Sequence, residues 1–154
     1  MSYWFRTFIV SIEVVILLIG LFAWVHFSAY LDTTAKSLSL NDEFMKYLML
    51  LPLALAVWII NECRLILHED KETTRILIAW PDYQKLKTHV WVSLLYALIF
   101  ASLSAAPFLV KSGLSTGVGF LLFVTSIVGQ LWLAATVYAA RIRVKEITAQ
   151  LSAP

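Results

Sequence analysis

Four long stretches of this chain are apolar and nearly free of charge: Phe8–Tyr30, Phe44–Cys63, Val90–Val110 and Phe120–Ala140. A helix needs about 20 mostly apolar residues to cross the hydrocarbon of a bilayer, and each stretch supplies them. The runs are continuous and do not alternate apolar with polar, so they predict helices and not barrel strands. The rest of the composition agrees. Only 14% of residues are charged and 60% are hydrophobic, whereas a soluble domain is about one quarter charged. Too few polar residues exist to coat a water-soluble core. The expected fold is all-α: a polytopic membrane protein, a four-helix transmembrane bundle formed as one domain over residues 1–154.

Amphipathic aromatic rings favour the headgroup layer, and Tyr3, Trp4, Phe5, Tyr30, Tyr47, Trp80, Tyr83, Trp91 and Tyr138 lie near the ends of these stretches. The first stretch is too long for a signal-peptide core, is interrupted by Glu13 and lacks a clear cleavage site, so it reads as an uncleaved anchor. Arg6, Arg64, Lys71, Arg75, Lys85, Lys87, Arg141, Arg143 and Lys145 fall on one side of the four spans. Lys36, Lys46 and Lys111 fall on the other, a division of nine against three among the 12 Lys and Arg residues. Basic loops stay in the cytoplasm, which places both termini inside. The terse loops and small size suit a bacterial inner membrane. The outward loops, near Leu31–Glu43 and Lys111–Leu114, are short and enforce antiparallel neighbours.

Lipid gives no hydrophobic push between helices, so close backbone approach must hold them together. Ser93, Ala97, Ala101 and Ala105 recur every four residues on the third span. Gly113, Gly117, Thr125 and Gly129 answer on the fourth, and these faces are expected to pack the two spans together, or one of them to receive a partner protein. Polar groups gather near the basic end of every span: Glu13, Asn61, Glu62, Arg64, His89 and Arg141. A buried Glu13 would seek Arg64 or Arg141; otherwise the layer is a structural clasp or simple snorkelling. An ion path would need polar groups at every depth, and no acidic residue lies near mid-membrane.

The one long polar island, His68–Lys87, separates the second and third spans. Helix is expected to continue from Cys63 toward Arg75. Ile76, Leu77, Trp80, Tyr83, Leu86 and Val90 then form one apolar stripe across Pro81. This predicts a helical elbow within residues 64–89, resting on the inner surface and feeding the third span. Ile76, Trp80 and Tyr83 could touch lipid or anchor a protein contact. His68-Glu69-Asp70-Lys71-Glu72 approaches a zinc-protease helix motif, but Glu72 stands where the second histidine belongs. Cys63, Glu69 and His89 are the remaining conceivable ligands, and a zinc site is not expected. No cofactor motif is present. The lone Cys63 excludes an intramolecular disulfide, and a net charge of +2 without a basic stripe gives no reason to expect nucleic acid.

Asn41–Ile60, NDEFMKYLMLLPLALAVWII, resembles the second helix of the small membrane subunit of tripartite periplasmic transporters. That family implies four spans, inside termini and interfacial elbows. The resemblance covers about twenty residues of low specificity, and Phe27-Ser28-Ala29-Tyr30 stands where the family's arginine and aromatic signature would close the first helix. In size and topology the chain also resembles bacterial immunity proteins that guard against membrane-inserting toxins, with no shared motif. The leading expectation is a non-catalytic protein that works by binding a protein partner in or on the membrane, as an immunity protein or an accessory transport subunit. A small oligomeric ion or solute conduit is the alternative, and an enzyme comes third.

Overall fold

The computed structural model describes residues 11–37, 42–67, 75, 77–109, 114 and 116–152. Four long helices carry them: α1 (Ile12–Ser37), α2 (Asp42–Leu67), α3 (Tyr83–Leu109) and α4 (Gly117–Ser152). All four contain a stretch long and apolar enough to cross a membrane. The chain is a helical-bundle membrane protein.

Every helix outruns its apolar stretch. α1 passes Tyr30 because Leu31–Ser37 contains no glycine or proline, and its hydroxyls bond back along the helix. Thr33 and Thr34 donate to the carbonyls of Ala29 and Tyr30, each at 3.0 Å. The segment expected as an outward loop, Leu31–Glu43, is therefore helical as far as Ser37 and again from Asp42. α1 is kinked at Phe27 (φ −124°, ψ 19°). The His26 ring donates from Nδ1 to the Phe22 carbonyl at 3.2 Å, competing for the acceptor that the helical ladder would use.

The structure describes only part of the expected elbow. α2 ends at Leu67, and residues 77–79 form a helical turn that breaks at Trp80-Pro81-Asp82. Asp82 then caps α3: its carbonyl accepts from Lys85 and Leu86 at 2.9 and 3.1 Å, and its carboxylate pairs with Lys85 at 2.6 Å. With no breaker after Pro81 until Pro107, Tyr83–Lys87 joins the spanning helix and not a separate surface segment. Ile76 and His68–Thr74 lie outside the described residues, as do Lys111 and Gly113.

α4 is the hub, packing against α1, α2 and α3, while α2 and α3 also pack on each other. The core is concentrated toward the end that carries the α2–α3 connection, here the basic end. It contains Ile59, Cys63 and Ile66 of α2, Val90, Tyr96, Ala97 and Phe100 of α3, and Leu133, Val137 and Val144 of α4. Gly129 lets α3 and α4 close together, since a methyl there would overlap the Phe100 ring. Farther along, Phe108 and Phe123 meet edge to face, with ring centres 6.0 Å apart.

α1 is attached differently. Its main contact is α4, where Gly20 faces Thr125; a Cβ on Gly20 would lie 2.9 Å from the Thr125 hydroxyl oxygen. At the basic end, Ser11 donates to the Tyr96 hydroxyl across to α3 at 3.2 Å. At the far end, α4 begins with Thr116 as its cap: the Thr116 hydroxyl accepts from Gly119 at 3.2 Å. Asp32 of α1 reaches the same helix start and accepts from the Gly117 N–H at 2.6 Å.

Candidate functional site

The polar layer expected across all four helices divides into separate groups. On one side, Arg141 of α4 donates to the Glu62 carboxylate of α2 at 2.6 Å, with the Glu62 side chain only 8% exposed. Arg64 is exposed. Two residues of α-helix turn through about 200°, so Arg64 cannot share the face of Glu62. On the other side, Glu13 is buried and lies within electrostatic reach of His89 and Tyr96. The pairing of Glu13 with Arg64 or Arg141 expected from sequence does not form. Glu62 holds Arg141, and Glu13 takes part in neither ion pair among the described residues.

The small-residue stripe also behaves differently from its spacing. Ser93 and Ala97 are buried in the core, whereas Ala101 and Ala105 are half-buried. Each four-residue step overshoots a 3.6-residue turn by about 40°, so the stripe drifts off the contact face. Phe100, Ser104 and Pro107 complete the buried line in its place. Gly129 faces α3 through Phe100, but Gly117 packs against Leu31 and Asp32 of α1.

Two concave surfaces lie among the described residues. The first is a groove of about 770 Å³ at the basic end, between the start of α3 and the C-terminal part of α4. Trp80 stands at its rim and His89 and Thr136 at its inner end, with Leu86 and Val144 among its apolar walls. Tyr83, half-buried like Trp80, packs against the hydrophobic core and is not among the groove's lining residues. The second is a cleft of about 310 Å³ within the membrane span. α4 forms its floor through Leu121 and Thr125. Gly20 and Trp24 of α1 form one wall, and Leu103 of α3 forms the other. It lies farther along the bundle than the Ser11–Tyr96 contact.

Deeper in the bundle, Ser126 and Gln130 are fully buried, and among the described residues neither the Ser126 hydroxyl nor the Gln130 amide has a hydrogen-bond partner. Cys63 is also fully buried. Among the described residues, no group of three or more His, Cys, Asp or Glu side chains could hold a metal ion; Glu69 and Glu72 lie outside those residues.

Asp32, Gly20, Arg143 and Glu146 were not singled out by sequence. The Thr116-x-x-Gly119 cap and the lone carboxylate at the end of span one were the available signals for Asp32. Nothing in the pattern marked the groove, because it depends on α4 continuing well past its apolar stretch. No protein-family model, curated protein or solved structure matches this chain.

Proposed function

We propose that this is a non-catalytic membrane protein that acts by binding a protein partner inside the bilayer, at the cleft between α1 and α3. The observation that carries this reading is the open bundle. In a closed four-helix bundle the first helix packs along two neighbours. Here α1 packs along α4, and the space beside it is an apolar cleft with Gly20 in its wall. Small residues in such a wall favour close helix approach. A volume of about 310 Å³ is too small for a helix about 10–12 Å across. It suits side chains projecting from a partner helix laid across its mouth.

An immunity protein against a membrane-active toxin and an accessory subunit of a transport complex both need this kind of contact. The proposed setting is a bacterial inner membrane, with the basic end and both termini in the cytoplasm. Reporter fusions at Met1 and Pro154 test that orientation, and an external reading at either end overturns it.

The partner test is to fill the cleft. Purified from native membranes in mild detergent, the wild-type chain should carry a second polypeptide at constant ratio. Leu121→Trp and Leu21→Trp should lose it while still inserting, and Leu131→Trp, outside the cleft, should keep it. A chain that purifies alone, or retains the same polypeptide with the cleft filled, overturns the reading.

The alternative is an oligomeric conduit. The unpartnered Ser126 and Gln130 favour it, because buried polar groups in a membrane are costly and often functional. A solute flux that reconstituted protein carries and Gln130→Leu abolishes would support that reading over partner binding.

A further inference from the structure

The groove at the basic end has a charge order that follows depth. α3 and α4 run antiparallel, as the Phe100–Gly129 and Phe108–Phe123 contacts require. Going outward, α3 contributes His89, then Lys85, then Asp82, and α4 contributes Thr136, then Arg143, then Glu146. Both walls therefore give the same sequence: a cation nearer the hydrocarbon, and a carboxylate about one turn, or ~5 Å, farther into water. Below the cations the walls are mixed: Leu86 and Ala140 are apolar, and His89 and Thr136 stand deepest. Trp80 stands at the water side, where an amphipathic ring is favoured.

From this order we infer that the groove is a binding site for a phospholipid whose headgroup carries a phosphate and a terminal primary amine. In such a lipid the acyl chains and glycerol lie deepest, the phosphate comes next and the ammonium lies outermost. Leu86 and Ala140 meet the upper chains, His89 and Thr136 meet the ester-bearing glycerol, Lys85 and Arg143 meet the phosphate, and Asp82 and Glu146 meet the ammonium. Two cations and two carboxylates make the rim neutral overall, which matches a zwitterionic headgroup better than an anionic one. Ammonium and guanidinium donors to phosphate, and carboxylates to ammonium, give charge-assisted hydrogen bonds in a partly desolvated groove. The Lys85–Asp82 pair at 2.6 Å is half-exposed and bridges the two levels, so its members can serve both without being moved far. A trimethylated amine has no N–H to donate and should bind less well.

The site is separate from the α1–α3 cleft, and its test is separate too. The full chain, purified in detergent, is offered equal amounts of phosphatidylethanolamine, phosphatidylcholine and phosphatidylglycerol with identical chains. Retained lipid is then measured by native mass spectrometry. Phosphatidylethanolamine should be retained about tenfold over phosphatidylcholine, the scale of a lost charge-assisted contact.

Glu146→Gln with Asp82→Asn should erase that preference, and asparagine preserves the α3 cap. Lys85→Gln with Arg143→Gln should weaken retention of all three lipids. Ala139→Trp, which fills the groove without changing charge, should do the same. Equal retention of the three lipids by the wild type would mean ordinary annular lipid and overturn the inference. A preference for phosphatidylglycerol that survives the carboxylate substitutions would also overturn it, by showing that the basic level alone selects.

Discussion

The Asp32 carboxylate of α1 accepts a hydrogen bond at 2.6 Å from the backbone N–H of Gly117, the first residue of α4. The first N–H groups of a helix have no partner within it, and they carry the positive end of the helix dipole. Asp32 satisfies one of those groups and supplies a negative charge there, while Thr116 satisfies another. Gly117 allows this approach, since a Cβ would come within 2.6 Å of the Asp32 backbone nitrogen.

Replacing Asp32 with alanine should therefore destabilise the bundle by about 1 kcal/mol, the usual cost of losing a helix cap. Asparagine should recover part of the loss by keeping an acceptor without the charge. Reversible unfolding in detergent with increasing SDS would measure both. Equal stability of wild type and Asp32→Ala would show that water replaces the carboxylate at no cost.

The Glu62–Arg141 pair predicts coupling. Neutralising Glu62 alone leaves an arginine partly buried between helices, a loss of roughly 3 kcal/mol for a buried pair. Glu62→Gln combined with Arg141→Met should cost clearly less than the two single changes added together. Arg64→Gln should cost little, because Arg64 is exposed. A double-mutant cycle with no interaction energy would remove the pair from the account of stability.

Gly129→Ala should destabilise by about 1–3 kcal/mol through overpacking against Phe100. Phe100→Leu should restore part of that loss in the double mutant, since it removes the ring atoms that a methyl would overlap. Gly20→Ala should cost less. Its nearest neighbours are the tip atoms of Thr125, at 2.9 and 3.0 Å, and a side-chain rotation relieves them.

Cys63 is 0% exposed in the α2–α3–α4 core, so its thiol should resist a maleimide reagent in the folded protein. Labelling should appear only as the bundle opens in SDS, in step with loss of helix packing. Fast labelling in mild detergent would show that the core near Ile59, Cys63 and Ile66 is open to water.

The architecture was legible because lipid imposes a minimum length on every apolar helix, and the four stretches met it. The ends were not legible, because hydropathy records where a helix leaves the hydrocarbon, not where it stops. Leu31–Ser37 and Arg141–Ser152 stay helical on mixed sequences too polar to read as membrane spans. The position of small residues was visible, but not what they face: Gly117 belongs with Asp32 of α1, and Gly129 with Phe100 of α3. Polar residues at one level were visible too. Their pairing depends on helix rotation, which places Glu62 toward Arg141 and turns Arg64 away.

α4 contains 36 residues, a rod of about 54 Å at 1.5 Å per residue. The hydrocarbon is about 30 Å thick, so roughly 24 Å of it must stand outside or be taken up by tilt. From Gly129 to Ser152 it contains no further glycine and no proline, and nothing in that stretch invites a hinge. The same rod forms the floor of the cleft at Leu121 and Thr125 and a wall of the groove at Arg143 and Glu146. Gly129, where the rod meets Phe100, lies between the two surfaces. The tip lies about 35 Å from Gly129, so a tilt of about 10° about that point would carry it through about 6 Å, and a displacement imposed on the bilayer side would be felt at the water side.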